Sequence, residues 1–139
     1  MYKHKLQFND QVFQQGMTLP VNTSASATNA VRCAGAPGRL AITMVANGSV
    51  ALANTKKLTM SILTCTTESG SFVAPKHAPS MVVTMNGAYA PAKGDVMASM
   101  IMPVGYLEGE SAKWVKAVVA TDDAAAAGTI DVFLEYLGS

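Results

Sequence analysis

Apolar and polar positions alternate with a period of two along most of this chain. In the run 129–137, Ile130, Val132, Leu134 and Tyr136 fall on one face, and Thr129, Asp131, Phe133 and Glu135 on the other. Successive strand side chains point to opposite faces, so the run predicts a half-buried strand. Residues 57–62 read the same way, with Leu58, Met60 and Ile62 inward and Thr59 and Ser61 outward. The phase then slips, because Leu63 follows Ile62 directly and Cys65 follows Leu63 in step, which predicts a bulge or a strand end. Further strands are predicted over 39–46, 81–85, 95–102 and 113–121, with weaker signals at 5–8, 11–14 and 28–34.

Turn chemistry separates these runs. Gly35-Ala-Pro-Gly38, Asn47-Gly48, Glu68-Ser-Gly70, Asn86-Gly87, Lys93-Gly94 and Gly105 sit where the periodicity breaks. Asn-Gly supplies the positive φ that tight hairpins require. Many short strands at such spacing predict an all-β fold: a single-domain antiparallel β-sandwich spanning 1–139, with the jelly roll first among its topologies. An α+β domain is the runner-up. Its best helix is 122–127, an Asp followed by four Ala and closed by Gly128. That segment is too short to stand without packing, so it reads as the loop joining the last two strands, with room for one helical turn.

Composition narrows the function classes. Of 139 residues, 50% are hydrophobic and 14% charged, with a formal net charge of +1. That balance lacks the electrostatic footprint of a protein that binds nucleic acid or anionic lipid. No stretch is long and apolar enough for a membrane-spanning helix, and the first ten residues lack the apolar core of an export signal. Residues 11–31 and 40–55 carry no charge at all. An isolated monomer keeps more charge on its surface, so part of this one is expected to meet a partner. Cys33 and Cys65 are expected to be reduced thiols.

Catalytic chemistry finds little to use. His4 and His77 have no Cys or acid close in sequence, so no metal site is expected. There is no nucleophile elbow and no phosphate loop. Glu108 and Glu110, and the pair Asp122-Asp123, read as solvated loop tips rather than as acid–base partners. Trp114 beside Lys113 and Lys116 is a nucleic-acid motif in kind, yet the valines around it point to core or protein interface. Met97, Met100 and Met102, with Met81 and Met85, suit core filling or an adaptable contact surface. The chain reads as a non-enzyme without cofactors.

Several segments in order resemble one family. Leu6-Gln-Phe-Asn-Asp-Gln11, the polar stretch 22–29 and Gly38-Arg-Leu-Ala-Ile-Thr-Met44 are similar to the start of phage capsid cement proteins. So are Lys57-Leu-Thr-Met-Ser-Ile-Leu-Thr-Cys-Thr-Thr-Glu-Ser-Gly70, Lys113-Trp-Val-Lys-Ala-Val-Val-Ala-Thr121 and Ala127-Gly-Thr-Ile-Asp-Val-Phe-Leu134. These small proteins decorate the shells of tailed double-stranded DNA phages, notably short-tailed ones. The resemblance implies a jelly roll, made in the host bacterial cytoplasm and bound to the outer surface of the icosahedral shell in the virion. It implies partners too: the major capsid protein, and further copies of the chain as a homodimer or, second, a homotrimer. Neither nucleic acid nor membrane is contacted directly in this picture. The family offers no catalytic residues to carry over.

The contact candidates come from the residues themselves. Phe8, Phe13 and Phe72 are large apolar groups in otherwise polar segments. His77 lies in the Pro-rich stretch 72–80, and Trp114 faces core or partner. The segments 1–15 and 72–80 are therefore the expected shell or subunit contacts. An alternative function is a carbohydrate-binding β-sandwich of a tail or host-recognition apparatus, for which four Tyr and one Trp give thin material.

Overall fold

The alternation seen in the sequence folds into nine strands, described by a computed structural model over residues 12–32, 39–74, 80–102 and 114–138. They are β1 (Val12–Thr18), β2 (Ser24–Ser26), β3 (Val31–Arg32), β4 (Arg39–Ala51), β5 (Lys57–Cys65), β6 (Ser80–Thr84), β7 (Val96–Met102), β8 (Trp114–Thr121) and β9 (Ala127–Gly138). One sheet, A, has the order β1-β9-β4-β7; the other, B, has β2-β8-β5-β6, with β3 also on β8. The pairings are nested: first strand with last, second with second last, β4 with β7 and β5 with β6, all antiparallel. This is a long hairpin rolled into two sheets, the wrapping of a jelly roll. The predicted strands at 5–8 and the turns at 35–38 and 105 lie outside the described residues.

The two inner faces close one core. Sheet A contributes Phe13, Met17, Ile42, Met44, Ile130 and Val132, and sheet B contributes Leu58, Met60, Ile62, Val115 and Val119, all nearly or wholly buried. Interdigitated inner faces of this kind carry most of a sandwich's stability. β5 and β8 alternate without fault, buried positions falling on every second residue. The slip expected after Ile62 does not occur: Thr64 takes the inward position, and Leu63 and Cys65 stay outward. A threonine methyl fills an inward site as a small hydrophobe would, which apolar counting overlooks. β4 behaves differently, because both of its faces are buried from Leu40 to Val45. On its outer side Val45 joins Val12 and Phe133 in a separate small cluster.

Two sequence readings are corrected here. Asn47-Gly48 is not a hairpin turn; β4 runs through it to Ala51, and the register against β9 shifts on either side of Gly48. Asn47 donates from its amide to Asp131 Oδ1 at 2.8 Å, which holds the irregular stretch in the sheet. The same carboxylate oxygen accepts the Gly16 N–H at 2.9 Å, where β1 has its own register shift and Gly16 a φ of 66°. One aspartate of β9 thus ties the bulges of both neighbouring strands. The 122–126 segment forms the expected loop between β8 and β9, but without a helical turn.

Candidate functional site

The five contact candidates fall in different places. Phe13 is 0% exposed at the centre of the core, packed with Met17 and Ile42, and is not available to a partner. The surrounding glutamines misled the sequence reading: β1 is a strand, bulged at Gly16, whose inward residues are Phe13 and Met17. Phe72 is half-buried after β5, and the Lys116 ammonium sits 4.8 Å from its ring centroid, a cation–π contact that caps the outer face of sheet B. Trp114 is half-buried at the start of β8, paired in register with Arg32 on β3 and Cys65 on β5. Phe8 and His77 lie outside the described residues. Of the five, Phe72 and Trp114 therefore share the outer face of sheet B, and Phe13 does not.

Cys65 also belongs to that face. Its thiol is held below the usual cysteine range, first by the backbone N–H of Thr67, and the Thr67 hydroxyl lies 3.7 Å from Sγ. Hydrogen bonds to the thiolate favour the charged form.

The acid pair 122–123 is structural. Asp122 Oδ1 accepts the Lys57 N–H at 2.7 Å, fastening the end of β8 to the start of β5. Asp123 is buried, and its two oxygens accept the N–H groups of Ala53 and Ala125 at 2.8 Å each. These bonds, Ala53 first, hold its carboxyl below the usual range. A depressed folded-state pKa means the stabilisation is complete above the unfolded value and is lost as pH falls through the folded one. Asp123→Asn should therefore be less stable than the parent in urea unfolding at neutral pH. The difference should narrow once the pH falls below 3.8, the ordinary aspartate value.

Among the described residues, the large apolar side chains that stand exposed are Val21, Val73, Val82, Val96 and Ile101. Val82 is on β6, and Val96 and Ile101 are on β7, the strands that end sheets B and A on the same side of the sandwich. Val73 bridges to Thr64 of β5, extending the line of β6. Sequence reading did not pick these valines and Ile101, although it placed strands at 81–85 and 95–102. At the opposite side a shallow groove of about 390 Å³ is lined by Val12, Gln14, Gln15, Thr28 and Asn29. Among the described residues, no aromatic ring lines it.

Among the described residues, no group of three or more His, Cys, Asp or Glu could hold a metal ion. The arrangement offers flat sheet faces and strand edges, which suit contact with another macromolecule. No protein-family model matches the chain, and no curated protein matches it at a significant level.

Proposed function

We propose that this chain is a capsid cement protein, which binds the outer surface of an expanded icosahedral phage shell and bridges neighbouring major capsid subunits. The observation that carries the reading is where the resembling segments fall. Residues 57–70 and 113–121 hold β5 and β8, and 38–44 and 127–134 cover the first parts of β4 and β9, so the four segments fall on the central strands of the two sheets. The likeness to cement proteins thus follows the framework of a jelly roll, the fold that likeness implies. The low charge and the exposed apolar edge suit a surface shared with partners.

The mechanism is thermodynamic and involves no reaction. A protein that binds the assembled lattice and not its dissociated subunits stabilises the lattice by mass action, by about 2.7 kcal/mol per site at a hundredfold excess over Kd. Repetition over the shell lets modest individual contacts act together. Adding the purified chain to expanded shells that lack it should raise the temperature at which they disrupt. Shells that neither retain the chain on sedimentation nor gain heat resistance would overturn the reading. Deleting residues 1–11, which spares β1, should lower occupancy; full occupancy would remove that segment from the contact.

A further inference from the structure

The outer face of sheet A is buried where a two-layer sandwich should leave it open. Phe133, Val45 and Val12 point away from sheet B, yet they are 1, 4 and 7% exposed. Thr43, which lies between Phe133 and Ser99 in the register, is also wholly buried on that face. Among the described residues there is no third layer, and no further hydrophobic packs onto this cluster. The burial stops at β7, where Ile101 and Val96 stand 54 and 42% exposed. The cover therefore lies over β1, β9 and β4 and comes from the β1 side.

One segment of the chain enters there. Residues 1–11 lead directly into Val12, itself a member of the cluster. From β1 across β9 to β4 is about 10 Å, two strand spacings. An extended segment of this length spans roughly 35 Å, so part of it suffices. The 33–38 link has to carry the chain from β3 in sheet B to β4 in sheet A, and 103–113 sets out from β7, the uncovered side.

The chemistry of the segment fits the face. Leu6 and Phe8 are two apart and fall on one side of an extended chain. Asp131 and Glu135 flank Phe133 on the outer side of β9, and Glu135 Oε2 accepts the Thr43 hydroxyl at 2.8 Å. No Lys or Arg is among the described side chains of sheet A, whereas the segment brings Lys3, His4 and Lys5. We propose that residues 1–11 dock across β9 and β4 of their own chain. Leu6 and Phe8 then cover Val12, Val45 and Phe133, with the Lys3 and Lys5 ammonium groups toward Glu135 and Asp131. The result is a second, smaller core on the outside of sheet A. The inference concerns the free chain and does not depend on shell binding.

Carbodiimide cross-linking of the full chain tests it, read by peptide mass spectrometry on an equal mixture of light and isotope-heavy protein. The reagent condenses a Lys amine with a carboxylate that lies against it. Links from Lys3 or Lys5 to Glu135 or Asp131 are expected, within light or within heavy chains only. Links that join light to heavy chains would make a second copy the occupant, and no link to either acid would remove the segment from this face. Either result overturns the proposal. Urea unfolding of Phe8→Ala, Val45→Ala and the double variant gives an independent reading, with circular dichroism to check that each folds. Phe8→Ala should lower the folding constant ~10-fold or more, the loss expected when a buried ring is removed. The double variant should lose less than the product of the two single losses, because both remove one shared contact. A Phe8→Ala chain as stable as the parent, or losses that simply multiply, would also overturn it.

Discussion

Gly128→Ala should destabilise the fold by about 3 kcal/mol or more, read as a lower midpoint in urea unfolding. Gly128 opens β9 opposite the bulged end of β4, with a φ of 105° that residues bearing a Cβ rarely adopt. A methyl there would land 2.5 Å from the Val50 nitrogen and 2.6 Å from the Ser49 carbonyl oxygen. These are backbone atoms inside the central pair of sheet A, so they cannot swing aside as a side-chain tip would. Backbone strain and steric overlap therefore add, and relief requires parting β4 from β9. Gly48→Ala is the matched control: its added methyl would meet only Thr129 Oγ1, at an ordinary 3.6 Å. It should stay within about 1 kcal/mol of the parent.

Phe13→Ala should cost about 3–5 kcal/mol, the usual loss when a fully buried aromatic is cut back and its cavity only partly closes. Phe13 and Phe133 are among the largest side chains wholly removed from solvent, on opposite faces of sheet A. A partner-facing Phe13 would behave otherwise, leaving the free protein's stability nearly unchanged while weakening only an interaction. Chemical unfolding of the isolated chain separates the two cases. Phe72→Ala, which removes a half-buried ring and its contact with Lys116, should cost much less.

The contrast between these phenylalanines shows what the residue pattern could and could not convey. Alternation placed β5, β8 and β9 because each has a clear inner and outer row, as in Leu58, Met60 and Ile62 against Thr59 and Ser61. It failed on β4, where Asn47-Gly48 carries turn chemistry inside a strand. A cross-strand bond from the Asn47 amide to Asp131 holds that bulge, and a partner so distant in sequence has no local signature. Phe13 was misplaced because glutamines on the outer face of β1 made its segment look polar, although Phe13 and Met17 both point inward. Asp123 was read as a solvated tip, since nothing nearby announces that the Ala53 N–H arrives from a different turn. The outermost strands were legible in part: strands at 81–85 and 95–102 stood in the sequence, but strand order decides which strand is an edge.

Counting copies in purified particles tests the proposed residence on a phage shell. Quantitative peptide mass spectrometry on purified particles would set copies of this chain against copies of the major shell protein. We expect one copy per shell subunit, or another fixed fraction dictated by the lattice. A few copies per particle would place the chain in a tail or fibre, and its absence from the particles would contradict the claim outright.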